Sequence, residues 1–191
     1  PYVDQIVINI AESSIIPAKT GSGESDLQER YLSFADYTFL KEGEKRNNYT
    51  VRLWTVGKGS AVALYPNLNT NDVGWRTLFR DVRFRRALSL GIDRTQINQV
   101  LFAGLAKEGA STVLPGSHLF RDELGSAYAA YDPEKANALL DEIGLKRGAN
   151  GIRLMPDGRP LDLVVESTGE NSMEADVLEL VTGNWADLGV K

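Results

Sequence analysis

Several kinds of residue and motif are missing from this sequence, and each absence excludes a class of chemistry. The 191 residues include no cysteine, so disulfides, thiolate nucleophiles and cysteine-based zinc sites are excluded. His118 is the single histidine, which excludes a metal site with several histidine ligands; we interpret it as a surface or partly buried side chain. No apolar run approaches the roughly 20 residues that a membrane-spanning helix needs.

Phosphate-binding glycine loops and the serine-nucleophile motif of hydrolases are also missing. The formal net charge of −5 disfavours a nucleic-acid-binding surface, which is normally basic. One basic run, at residues 80–86, lies within this acidic chain and is interpreted as a helix surface that forms salt bridges between elements. We therefore expect no nucleic-acid partner, no metal and no cofactor.

The length and composition are those of one globular domain. Hydrophobic residues make up 42% of the chain and charged residues 25%, ordinary values for a protein with a buried core. Strand-like sequence begins almost at Pro1, and the chain stops at residues 188–191, just after a helical pattern. Both ends are therefore interpreted as cuts within a longer protein.

Strand and helix patterns alternate along the chain. Alternating or β-branched residues predict strands at 6–10, 50–55 and 61–65, and a hairpin formed by 152–154 and 161–166 around the turn residues 156–158. Loops are predicted for residues 11–25 and 105–130 because these stretches are polar, glycine-containing or irregular. The mixture predicts an α/β, or mixed α+β, fold.

Helix signals are strongest in the second half. Helical spacing predicts a helix, or two pieces of one, between 26 and 45, and another that begins after Asp81. A short helix after Asp93 is expected to turn Ile97, Val100 and Leu101 inward. Asp132 and Pro133 are a cap and a first helical residue, which predicts a helix up to Gly144. A last helix is predicted for about 172–187, with Asn171 as its cap.

Aromatic and amide side chains at predicted strand ends are the first candidates for a binding site. They are Trp54, Tyr65, Asn67, Asn69 and Trp75. In α/β folds, ligands bind beyond the carboxyl ends of strands, where a ring can stack on a ligand and an amide can orient it. The alternative is that both tryptophans are core residues and the asparagines form turns.

Two long motifs resemble a known family. Residues 78–94 (LFRDVRFRRALSLGIDR) resemble the signature helix of the bacterial extracytoplasmic solute-binding proteins of the dipeptide/oligopeptide-binding group, which serve ABC importers. Residues 131–144 (YDPEKANALLDEIG) are similar to a second hallmark of that group. Shorter similarities lie at 156–161, 185–190 and 1–7.

The resemblance implies one lobe of a two-lobed, type II periplasmic-binding-protein fold. Residues 1–191 would then be a single domain forming most of the second large lobe, with the other lobe and the hinge absent. It also implies a monomeric binding protein without catalytic residues, located in the periplasm or otherwise outside the cytoplasm. Its partners would be the captured solute and the permease subunits of the importer.

The implied solute is a peptide, bound by residues that face the other lobe. The candidates are Trp54, Tyr65, Asn67 and Asn69, together with the segment that contains Glu166, Glu170 and Asn171. Peptide binders of this group place a carboxylate just before the last helix to bind the ligand's amino group. Asn171 stands close to that position with Glu170 beside it, so an oligosaccharide is an alternative solute. An enzyme, such as a hydrolase that uses two carboxylates, is a third alternative.

Overall fold

Residues 2–54, 57–169 and 171–191 are described by the structure, which is a computed structural model. The chain divides into two units, Pro1–Val56 and Gly57–Lys191. Each unit has its own packing and is considered by itself. The single domain expected over residues 1–191 stays a prediction.

Helices are the main regular elements of the described residues. Two short 3₁₀ turns, at Ser13–Ile15 and Phe34–Asp36, directly precede the first two α-helices. The α-helices are α1 (Ile16–Gly21), α2 (Tyr37–Asn47), α3 (Val73–Arg80), α4 (Val82–Leu90), α5 (Arg94–Phe102), α6 (Asp122–Ser126), α7 (Pro133–Glu142) and α8 (Ser172–Asp187).

The first unit is built on the contact between α1 and α2. A Cβ atom added to Gly21 would lie 2.7 Å from a ring carbon of Phe39, so a larger residue there would force the Phe39 ring to move. The Asn47 amide donates to the Gly21 carbonyl at 2.6 Å, and the Tyr49 hydroxyl donates to the Leu40 carbonyl at 2.5 Å. The prediction of a loop over 11–25 is therefore wrong for α1, which has little apolar periodicity of its own.

The predicted helix starts are confirmed in the second unit, where polar side chains cap the first turns. The caps accept hydrogen bonds from N–H groups two or three residues further on: Asp81 from Arg83, Asp93 from Gln96, Asp132 from Lys135 and Asn171 from Met173. Local cap chemistry is therefore enough to place the beginnings of α4, α5, α7 and α8.

The core of the second unit lies between α4, α7 and α8. Phe84 and Ala87 of α4 are fully buried, as are Ala136 and Leu140 of α7. The Trp185 indole N–H of α8 donates to a carbonyl of α4 at 2.9 Å, which joins the third helix to the other two. Burial of these apolar side chains is the main stabilising contribution in this unit.

One inward-facing residue of α5 is predicted wrongly. Val100 is 62% exposed, whereas Ile97 and Leu101 pack against the core. Asn98 is buried instead and forms two hydrogen bonds of 3.0 Å with the main chain of Ala106, one through each amide atom. The amide thereby satisfies the main chain of the next loop, a requirement that hydrophobic periodicity does not reveal.

The basic run at 80–86 makes contacts between elements, as predicted. Arg83 of α4 forms a salt bridge of 2.8 Å with Glu142 of α7. Arg85 donates to the Phe79 carbonyl at 2.6 Å, and Arg86 lies over the ring of Tyr128. These arginines contribute to packing, so their clustering does not indicate a nucleic-acid site.

The predicted strands are the main correction, since the described residues contain only two isolated antiparallel β-bridges. Residues 6–10, 51–54 and 63–65 form no regular secondary structure, Ala61 and Val62 lie in a bend, and Thr55 lies outside the described residues. Ile6, Ile8 and Ile10 are each more than three-quarters exposed. Alternating β-branched residues favour an extended backbone, but a strand also needs a hydrogen-bonding partner, which sequence periodicity does not supply.

The predicted hairpin around 156–158 forms a turn that is closed by one β-bridge. The Met155 N–H donates to the Arg159 carbonyl at 2.8 Å, and Leu154 is bridged to Pro160. Gly158 has a φ of +86°, which glycine adopts without strain. The turn chemistry is therefore predicted correctly, although no long ladder follows it.

An ion pair joins this turn to the start of α3. Arg159 contacts Asp72 at 2.7 Å, and the Asp72 side chain also accepts the Trp75 N–H at 3.0 Å as the cap of α3. The pKa of Asp72 is lowered from 3.8 to about 2. The main cause is the hydrogen bond from the Arg159 guanidinium, and the next is the hydrogen bond from the Trp75 N–H. Arg159 also contacts Asp157, and lowers the pKa of that carboxyl too.

The lowered pKa of Asp72 predicts an effect of the Asp72→Asn variant that depends on pH. The ion pair contributes stability above pH 4, and this contribution is lost as the pH falls through about 2. Asparagine keeps the cap but not the charge, so the variant is expected to be less stable than the wild type at pH 6, with a difference that shrinks toward pH 2. Urea midpoints between pH 6 and pH 2.5 measure this. Asp176→Asn, at an exposed position of α8, is the control; an Asp72→Asn difference that stays constant with pH contradicts the prediction.

Candidate functional site

A surface cavity of about 250 Å³ lies in the second unit, between two non-helical segments and the start of α8. The first segment precedes Tyr65 and the second precedes α8. The lining residues are Ala61, Val62, Ala63, Leu64, Val165, Glu166, Ser167, Thr168, Glu174 and Leu178. The described lining thus combines aliphatic walls with two carboxylates and includes no lysine or arginine.

A second cavity of about 200 Å³ adjoins the first along α8. Val165 and Leu178 line both cavities, so the two lie side by side. The remaining lining residues of the second cavity are Leu163, Val181, Thr182, Trp185, Val190 and Lys191. Together the cavities form a mainly aliphatic groove, which is the kind of surface that binds a small solute.

Local chemistry holds the second non-helical segment in place. The Lys191 N–H donates to the Leu161 carbonyl at 3.0 Å, and the Leu163 N–H donates to the Lys191 carbonyl at 2.6 Å. At the other end, the Ser167 hydroxyl accepts the Gly169 N–H at 3.2 Å, and Gly169 has a φ of +70°. The segment is therefore fixed at one end and turned sharply at the other, just before α8.

Main-chain groups along both segments are free to bind a ligand. Within the described ranges, no hydrogen bond is formed by the main chain of residues 63–65 or 164–166. Main-chain N–H and C=O groups that have no partner within the protein can pair with an extended chain, as in peptide recognition by strand addition. The arrangement offers main-chain pairing beside aliphatic walls and two carboxylates.

Two of the predicted site residues, Glu166 and Tyr65, lie on or directly next to the segments that line this cavity. Glu166 lines it, and Tyr65 follows directly after its first wall with a side chain that is 85% exposed. Asn171 is exposed and caps α8 through its bond to the Met173 N–H at 3.0 Å. The predicted capping role of Asn171 is therefore confirmed. Its contact with a ligand stays a prediction.

Asn67 and Asn69 lie in a turn that we call the 65–70 loop, comprising residues 65–70. The Asn67 side-chain oxygen accepts the Asn69 N–H at 3.0 Å, and the Asn67 carbonyl accepts the Thr70 N–H at 3.3 Å. The Asn69 side-chain oxygen accepts a hydrogen bond from Arg80 at 3.0 Å. The turn-forming alternative therefore describes both asparagines, whereas their contact with a ligand stays a prediction.

The other candidates lie elsewhere. Trp54 belongs to the first unit and is 69% exposed, and Glu170 lies outside the described residues. Trp75 is not at a strand end: it lies in α3, packs against the core and stacks on Phe79 with ring centroids 5.2 Å apart. The structure therefore supports the alternative in which Trp75 is a core residue. His118 is exposed.

Sequence reasoning missed Glu174 and Leu178, which line the cavity from α8. Their spacing of four residues places both on one helix face, and this signal was available in the sequence. Their proximity to residues 61–64 was not, because it arises from tertiary packing. Among the described residues, no group of three acidic or histidine side chains could hold a metal ion, and no helix is long and apolar enough to cross a membrane.

These features describe a domain with a surface cavity of the kind that can accommodate a small solute. The chain belongs to the bacterial extracellular solute-binding proteins, family 5, and the model of the middle part of this family matches residues 1–191. The predicted family is therefore confirmed.

Individual relatives agree with this assignment. The dipeptide-binding protein of Escherichia coli (strain K12) is 24% identical over 196 residues, an alignment that covers all of this chain and 32% of the relative. The periplasmic alpha-galactoside-binding protein of Rhizobium meliloti (strain 1021) is 27% identical over 140 residues, which cover 65% of this chain and 20% of that protein. The chain spans about a third or less of the length of these curated relatives.

A solved structure of an oligopeptide-binding protein, OppA, shows the same fold. It superposes with a TM-score of 0.74 and 40% sequence identity, and the match covers 95% of this chain and 29% of that one. The chain therefore has the fold of part of a solute-binding protein, which agrees with the predicted α/β or mixed α+β class.

Proposed function

We propose that the chain is part of the substrate-binding component of an ABC importer, and that this component captures a peptide and delivers it to the membrane permease. The family assignment and the similarity to dipeptide- and oligopeptide-binding proteins support this function. The extracellular family and its periplasmic relatives support a location in the periplasm. We expect the protein to be monomeric.

Residues 1–191 would form most of the second large lobe in this proposal. The chain matches about a third of the length of its relatives, so the other lobe and the hinge would lie outside these residues. The two lobes would close over the solute by a hinge motion, and the closed form would contact the importer. The function is binding without turnover, in agreement with relatives that are named as binding proteins.

The observation that carries a peptide as solute is the pair of free main-chain edges beside the cavity. Residues 63–65 and 164–166 can each donate and accept hydrogen bonds along an extended ligand, whatever its side chains are. Aliphatic walls accept apolar side chains, and Glu166 and Glu174 suit a cationic group. Further proposed contacts are Tyr65, Trp54, Asn67, Asn69, Glu170 and Asn171.

An oligosaccharide is the second candidate solute. Trp54 and Tyr65 are exposed aromatic side chains of the kind that stack on sugar rings, and one relative is named for an alpha-galactoside. A hydrolase that uses two carboxylates is a weaker alternative, because the named relatives are binding proteins.

Mass spectrometry of the solute released from the gently purified, two-lobed protein tests the proposal. Peptides of unchanged mass after incubation with the folded protein support the peptide-binding function. Recovered oligosaccharides would replace peptide by sugar as the solute, and cleaved products would indicate an enzyme.

A further inference from the structure

Two arginines of α3 hold the 65–70 loop. Arg80 donates from Nε to the Leu68 carbonyl at 2.8 Å and from Nη2 to the Asn69 side-chain oxygen at 3.0 Å. Arg76, one helical turn earlier, donates from Nη1 to the Thr70 carbonyl at 2.9 Å. The loop is thus bound at three consecutive residues by guanidinium groups on one face of a helix.

The Tyr65 side chain has no comparable support. It is 85% exposed, and Tyr65 forms no hydrogen bond within the described ranges. Its ring can therefore rotate, and the structure fixes only the position of its main chain, which belongs to the first residue of the loop held by the arginines. A planar guanidinium can satisfy two acceptors at fixed angles, whereas a lysine ammonium cannot reproduce this fork.

We propose that Arg76 and Arg80 are positioning residues of the binding surface: they fix the 65–70 loop and thereby hold the main chain of Tyr65 beside the cavity wall formed by Leu64, where the exposed ring can contact the bound solute. The claim that the arginines fix the loop rests on the loop geometry. The claim that Tyr65 contacts the solute rests on the proposed function. The arginines act through the loop and do not themselves contact the solute.

The Arg80→Lys variant of the two-lobed protein tests the first half. We expect amide hydrogen exchange within residues 67–70 to become about tenfold faster, because the hydrogen bonds of the charged group to Leu68 and Asn69 are weakened. Arg85→Lys is the matched control, since Arg85 donates to the Phe79 carbonyl outside the loop. Exchange in the loop that is unchanged by Arg80→Lys, or raised equally by Arg85→Lys, overturns the proposal.

A double-mutant cycle with Tyr65→Ala tests the second half, with trialanine as the probe. Arg80→Lys is expected to raise the trialanine dissociation constant about tenfold in the presence of Tyr65 and to have little further effect in Tyr65→Ala. Additive effects of the two substitutions would overturn the claim that Arg80 acts through Tyr65. Rescue by Arg80→Gln is not expected, because glutamine lacks the charged fork.

The two proposals fail in distinguishable ways. If the wild-type protein does not bind trialanine, peptide binding fails on this probe, and loop exchange alone then decides whether the arginines position the loop. If trialanine binds normally but Arg80→Lys leaves both exchange and affinity unchanged, the positioning role fails while the proposed function stands.

Discussion

Replacing Arg153 by methionine is expected to lower the free energy of unfolding by about 3–5 kcal/mol. The Arg153 side chain is only 1% exposed, which is rare for a charged group. It donates to the Leu188 carbonyl at 2.7 Å and, at a short distance, to the Leu145 carbonyl. Methionine fills similar space but leaves these buried acceptors without a donor.

Two further bonds explain why the loss is large. The guanidinium donates to the Asn137 side-chain oxygen at 2.8 Å and forms a salt bridge of 2.5 Å with Asp141. Arg153 therefore joins α7, the segment after it and the end of α8 through one side chain. A buried acceptor left unsatisfied costs about 1–3 kcal/mol, so the loss of several bonds accounts for the expected magnitude.

Arg147→Met is the matched control for Arg153→Met. Arg147 is exposed but makes hydrogen bonds in the same region, to the Gly151 and Asp187 carbonyls. Because water can replace an exposed donor, its removal is expected to cost about 0.5–1 kcal/mol. Urea unfolding followed by circular dichroism measures both variants. Equal losses in the two variants would contradict the view that burial makes Arg153 important.

Cap residues explain why much of the helical structure could be predicted from the sequence. Asp81, Asp132 and Asn171 act within three residues of their positions, so their effect is local and legible in the sequence. The sequence analysis predicts no helix over 73–80, although Asp72 caps α3 in the same way, because it places Trp75 at a strand end. The strands were predicted wrongly since pairing depends on residues distant in sequence.

The site could be predicted only in part for the same reason. Glu166, which lines the cavity, is predicted as a site residue because it lies between a strand pattern and a helix pattern, where ligands often bind. Its position opposite residues 61–64 is a consequence of packing. The role of Arg153 was not visible either, since nothing nearby in the sequence distinguishes this arginine from the many that lie on the surface.

Hydrogen exchange of the two-lobed protein with and without trialanine tests the central claim most directly. If an extended peptide pairs with the free main-chain edges, amide exchange within residues 63–65 and 164–166 should slow by about tenfold or more when trialanine is bound. Residues 82–90, in the buried helix α4, serve as the internal reference that should not change. Binding of trialanine without slower exchange in either segment would contradict the account, as would a failure of trialanine to bind.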